Sequence, residues 1–139
     1  MPTALKFDSI QIGDRLPSFE TPPISRLSLA LYCGASGDHN PIHVDSDFAK
    51  TSDMPDVFAH GMLSMAWLGH VLTNWAPQTA LREYSVRFSA IAHLGECITC
   101  AAKVVEKLER NGEQCVRLEL STTNQDGQPK LMGEAVIAL

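Results

Sequence analysis

Between Gly61 and Ala76 the chain carries Met62, Leu63, Met65, Ala66, Trp67, Leu68, Val71, Leu72 and Trp75. At the 3.6-residue period of a helix these apolar side chains cover most of the circumference, which predicts a helix enclosed by protein rather than laid on a surface. Pro77 limits its end, because proline offers no N–H to the helix ladder. The segment is too short to span a bilayer core of about 30 Å, and Ser64, His70, Thr73 and Asn74 make it too polar.

An enclosed helix needs a wrapping, and the rest of the chain supplies strands. From Arg82 to Ile91, Tyr84, Val86, Phe88 and Ala90 alternate with Glu83, Ser85, Arg87 and Ser89, the period-2 pattern of a half-buried strand. A second strand starts at Glu96, runs through Ile98, Cys100, Ala102 and Val104, and ends near Asn111-Gly112, a pair suited to a tight hairpin turn. Val116, Leu118 and Leu120 mark a third strand, and Asp126-Gly127 turns the chain into a fourth, Lys130 to Leu139. These predict a four-stranded antiparallel meander. Upstream, Ser25 is placed to cap a helix from Arg26 that Gly34 and Gly37 would end. Helices first and strands after predict an α+β fold, with the sheet curled around the central helix. The 139 residues suit one domain, 1–139.

Charge and targeting narrow the function. A net charge of −5 gives no basic footprint for a polyphosphate backbone, so no nucleic-acid partner is expected. Residues 1–24 hold no apolar run of secretory-signal length, and no membrane segment is found, so a cytoplasmic protein is expected. Cys97-x-x-Cys100 invites a zinc or redox reading, but in an alternating strand residues three apart face opposite ways. Cys33, Cys97, Cys100 and Cys115 are expected to be small buried thiols.

The densest group of ionisable and turn-forming residues is Ser36-Gly37-Asp38-His39-Asn40-Pro41-Ile42-His43-Val44-Asp45. Asn40 before Pro41 is steered away from helix, so Asp38 and His43 belong to a shaped loop where both can meet one water molecule. Two other readings stay open at this level. In one, the Asp-x-Asn-Pro turn bonds only its own backbone and His43 is incidental. Asp38, Asn40 and Asp45 are oxygen donors for a hard cation, although the spacing is not that of a calcium loop. His60-Gly61-Met62 opens the enclosed helix, whose free N–H groups can hold an anionic oxygen. Ser64 lacks the G-x-S-x-G elbow of a nucleophile and is read as a hydrogen-bond donor.

The run Tyr32-Cys33-Gly34-Ala35-Ser36-Gly37-Asp38-His39-Asn40-Pro41-Ile42-His43, with Ala49 beyond it, resembles the hydratase motif of the MaoC-like, (R)-specific enoyl-thioester hydratases. Phe58-Ala59-His60-Gly61-Met62, Val86-Arg87-Phe88 and Gly95-Glu96 extend the likeness over nearly the whole chain. Ala35 departs slightly from the motif, while the Gly-Asp-x-Asn-Pro-x-His core is intact. The resemblance implies a hot-dog fold. It implies that Asp38 and His43 bind the water that adds syn to a trans-2-enoyl thioester, giving the (R)-3-hydroxyacyl product, or drive the reverse dehydration. His43 would take a proton from water and Asp38 deliver one to the α-carbon. The Gly61 N–H would receive the thioester oxygen, Asn40 would hold the loop or the water, and His60, Met62 and Ser64 would bind substrate or support the site. No cofactor and no metal are implied. The substrate would be a coenzyme A or acyl-carrier-protein thioester, and the assembly a homodimer or a heterodimer with a second hot-dog subunit. Two rivals are a non-catalytic acyl-thioester-binding subunit and a hot-dog thioesterase.

Overall fold

The structure, a computed structural model, describes residues 5–139. Residues 1–4, which belong to the stretch read for a secretory signal and to the 1–139 domain, lie outside the described residues. Three helices, α1 (Arg26–Ser36), α2 (Ser46–Thr51) and α3 (Gly61–Trp75), accompany five strands: β1 (Phe19–Glu20), β2 (Leu81–Phe88), β3 (Thr99–Arg110), β4 (Glu113–Thr123) and β5 (Pro129–Ala138). The strands form one antiparallel sheet in the order β1-β3-β4-β5-β2, curled around one face of α3 in the hot-dog arrangement.

Two of the expected turns form as the residues dictate. Asn111 and Gly112 both adopt positive φ, 52° and 78°, and join β3 to β4; Gly127, at 77°, lies in the turn between β4 and β5. The simple four-stranded meander is not found. β2 pairs with β5 rather than β3, with Val86 opposite Gly133, and β1 adds a short fifth strand beside β3. The physical reason is the connection between β2 and β3. Residues 89–98 contain no hairpin pair, and the chain has the length to cross past β5 and β4 to the other side of the sheet. The first strand also stops at Phe88, short of Ile91, and the second starts at Thr99, after Glu96. α2 had no counterpart in the sequence reading.

The core lies between the sheet and α3. Val116, Leu118, Leu120 and Thr122 of β4 alternate inward, as do Cys100, Ala102 and Val104 of β3. On α3 the buried stripe is Leu63, Ser64, Leu68, Val71 and Leu72. Burial of Leu68, Val71 and Leu72 contributes roughly 5–9 kcal/mol before entropy is charged against it. The expected full enclosure of α3 is corrected: Met62, Ala66, His70, Thr73 and Asn74 are exposed, because one curled sheet covers only one side of a helix. The thiols are corrected too. Cys100 and Cys115 are buried, whereas Cys33 and Cys97 are half-buried, and Cys97 precedes β3 instead of lying in it. All four are free, and burial pushes the Cys100 thiol up to about 12.

Candidate active site

α1 is built to deliver the motif. Ser25 and Ser28 form a reciprocal capping box at its start, and it passes through Gly34 to end at Ser36, where Gly37 takes the left-handed conformation at φ 78°. The next residues fold onto their own backbone: Asp38 Oδ1 accepts from the Asn40 N–H at 3.3 Å, and Asn40 Oδ1 accepts from the Ile42 N–H at 3.1 Å. The turn reading is therefore correct as far as it goes. Pro41–His43 then form a single 3-10 turn that swings His43 inward to a buried position. Asp45 does not join the group, because its Oδ1 caps α2 by accepting from the N–H groups of Asp47 and Phe48.

The loop is braced from outside by Arg26. Its guanidinium donates to both carboxylate oxygens of Asp56 and to the Ser46 hydroxyl, tying the starts of α1 and α2 to the strip that leads to Phe58. Hydrogen bonds from Arg26, first, and Ser46 hold the Asp56 carboxyl well below the usual carboxylate range.

Two histidines meet behind Asp38. The rings of His43 and His60 stack with centroids 3.9 Å apart and planes at 27°. His43 Nδ1 lies 2.8 Å from the Phe58 carbonyl. A carbonyl only accepts, so Nδ1 carries the proton and Nε2 is left with a bare lone pair. By the same assignment His60 Nε2 donates to the Asp38 carbonyl at 3.3 Å. His60 is 1% exposed, and its Nδ1 has no partner. Burial, followed by the positive charge His43 can carry, lowers the His60 pKa, while the carbonyl and carboxylate of Asp38 pull weakly the other way. Burial thus favours the neutral form of the His60 ring stacked on His43. The edges of Tyr32 against His60 and Phe58 against His43 fix both planes.

One ligand atom from each of Asp38, His43 and His60 lies within 4.8 Å of the others. His43 Nδ1 is engaged by the Phe58 carbonyl and His60 Nε2 by the Asp38 carbonyl, so each ring keeps one nitrogen for a further partner. Such a group can hold a water molecule between a carboxylate and an imidazole nitrogen.

α3 begins beside this cluster, with His60 as its N-cap and Gly61 as its first residue. The N–H groups of a first helical turn have no intrahelical acceptor, so the Gly61 amide is available to an anionic oxygen. A Cβ at Gly61 would sit 3.0 Å from the Phe88 ring, which is the structural use of glycine here. A cavity of about 330 Å³ opens next to it, lined by Phe58, Ala59, Gly61, Ser64, Phe88 and residues 89–92. Ser64 faces this cavity, Asn40 serves the loop backbone, and Met62 is 57% exposed and does not line the cavity. The sequence reading missed the Phe58 carbonyl, the Tyr32 ring and the 89–92 wall. Phe58 was visible only as part of a motif, and a main-chain carbonyl leaves no mark in composition.

A MaoC-like domain model matches residues 10–126, and the chain belongs to that family. Among curated relatives it is 32% identical to the (R)-specific enoyl-CoA hydratase of Rhodospirillum rubrum over 100 residues, covering 70% of this chain and 68% of that one. It is also 32% identical to the fatty acid synthase subunit beta of Saccharomyces cerevisiae over 109 residues, 76% of this chain but only 5% of that much longer protein. Of solved structures, the R-hydratase PhaJ1 from Pseudomonas aeruginosa superposes with a TM-score of 0.82 at 29% identity, covering 95% of this chain and 84% of that one. Among the described residues no helix is long and apolar enough to cross a membrane.

Proposed function

We propose that the protein catalyses the reversible addition of water to a trans-2-enoyl thioester, giving the (R)-3-hydroxyacyl thioester. The observation that carries this reading is the grouping of the Asp38 carboxylate with His43, whose Nδ1 is taken up by the Phe58 carbonyl, next to His60 at the start of α3. A water seated between the Asp38 carboxylate and His43 Nε2 loses a proton to that nitrogen as its oxygen bonds to the β-carbon. The alkene electrons move toward the thioester, and the Gly61 N–H stabilises the charge that gathers on its oxygen. The Asp38–His43 pair returns one proton to the α-carbon on the same face and so ends with the protons it began with. Asn40 keeps the loop in shape, the neutral His60 ring supports His43, and Ser64 with its neighbours receives the acyl chain. No step passes through a metal or an organic cofactor.

The test is incubation with trans-2-butenoyl-CoA while conjugated-enoyl absorbance and free thiol are followed. Hydration removes the absorbance and releases no thiol. Release of thiol would assign a thioesterase, and no change in either signal would assign a binding subunit. Comparison with the acyl-carrier-protein thioester then identifies the carrier. We propose a homodimer, because the outer edge of β2 is unpaired in the sheet order and Phe88 and Met132, 52% and 53% exposed, stand beside it. Light scattering giving a monomer mass with full activity would refute it, whereas a chain active only with a second hot-dog subunit would establish the heterodimer. We place the protein in the cytoplasm, a reducing compartment that keeps half-buried thiols such as Cys33 and Cys97 free.

A further inference from the structure

The proton chemistry leaves one buried ionic group unused. Lys130 of β5 and Glu96 form an ion pair of 3.1 Å, with side chains only 3% and 12% exposed. Charges are taken this far from water only when every partner is supplied. Here the partners converge on one segment. Lys130 Nζ also donates to the Ile91 carbonyl at 2.6 Å, and its own carbonyl accepts from the N–H groups of Ser89 and Ala90. Glu96 Oε1 accepts from the His93 N–H at 2.6 Å, and Oε2 accepts from Asn124 at 2.6 Å. Burial works against the Glu96 carboxylate, but His93, Asn124 and Lys130 together hold it below its usual range.

The pair thus grips residues 89–93 along their length, and that segment has two other faces. Residues 89–92 form a wall of the cavity beside Gly61. Ala92 and His93 pair with the strip before α3: the Ala92 carbonyl accepts from the Ala59 N–H at 2.9 Å, and His93 bridges Phe58. Phe58 supplies the carbonyl that keeps the proton on His43 Nδ1. The geometry points to Glu96 and Lys130 as positioning residues for the reaction: through residues 89–93 they hold the Phe58 carbonyl in register, and with it the His43 tautomer that leaves Nε2 free. This inference rests on the hydratase reading for its consequence in turnover, and on geometry alone for its consequence in the His43 ring.

The experiment uses two variants of the full chain. Lys130→Met combined with Glu96→Gln removes both charges and leaves neither unpaired, a change that buried pairs often tolerate. Lys130→Arg keeps the charge but replaces the single ammonium that reaches Ile91 with a larger planar fork. Expected in folded protein are a fall in kcat on trans-2-butenoyl-CoA of about tenfold or more with KM little changed, since small misplacements near the chemistry can cost that much. Histidine 15N spectra should show His43 shifting from wholly Nδ1–H toward Nε2–H. Folded variants with wild-type kcat, or with reduced kcat and His43 still wholly Nδ1–H, overturn the inference. So does loss of the fold in both variants, which would make the pair a requirement of folding alone. Inactive wild-type protein would instead refute the hydratase reading, and the 15N arm would still decide this one.

Discussion

Asp38→Asn separates the chemistry of the loop from its architecture. In the structure the Asp38 side chain accepts one hydrogen bond, from the Asn40 N–H at 3.3 Å on an exposed loop, and an asparagine carbonyl can accept it as well. The Asp38 carbonyl that receives His60 Nε2–H is main chain and is untouched. The expected stability change is therefore below about 0.5 kcal/mol, within the range of a neutral surface substitution. In a domain with at least ~5 kcal/mol of stability, a loss of that size leaves well over 99% of molecules folded. A positioned acid or base contributes at least ~10²-fold, which is about 2.7 kcal/mol of barrier. The two magnitudes differ enough that activity cannot vanish through unfolding. The assay is trans-2-butenoyl-CoA hydration by Asp38→Asn, His43→Gln and the double variant, with thermal melts beside it. Both singles should lose ~10²-fold or more, and the double should be barely worse than either, because both groups act on one water. Near-wild-type turnover in Asp38→Asn, or singles whose losses multiply, would refute the reasoning.

Other expectations follow from particular contacts. His60 has a lowered pKa, so its contribution to stability is complete above its ordinary value of 6.5 and is lost as the pH falls below it; melts across that window should show a shallower acid slope for His60→Gln than for wild type. Gly133→Ala should destabilise by about 2–3 kcal/mol in urea titration, because its Cβ would overlap the Ser85 carbonyl of β2, a backbone atom that cannot swing away; an effect under ~1 kcal/mol would show that β2 and β5 can separate. Exhaustive chelation should leave turnover unchanged, and activity lost to a chelator and restored by a divalent ion would turn Asp38, His43 and His60 into a metal site.

Much of this molecule is legible in its sequence. Periodicity located β2, β4, β5 and most of β3, Asn111-Gly112 and Asp126-Gly127 marked their turns, Ser25 the start of α1 and Pro77 the limit of α3. These signals are local: a turn residue, a cap or an alternation acts through a few neighbouring bonds, so the residue type carries the information. The Asp38-x-Asn40-Pro41-x-His43 spacing equally placed a carboxylate and an imidazole on one shaped loop.

What the tertiary structure alone decided is long-range. β2 pairs with β5 across more than forty residues, and nothing in either strand names its partner, because hydrogen bonding along a strand edge is the same for any sequence. The open face of α3 has the same origin: an apolar side chain records a preference for burial, not which side of the helix a sheet will reach. His43 acquires its free Nε2 from the Phe58 carbonyl, and burial, followed by the charge His43 can carry, lowers the His60 pKa. The sequence by itself determined which ionisable groups the loop and the start of α3 carry; their tautomers and their distances to one another depend on backbone atoms and burial that only the folded chain brings together.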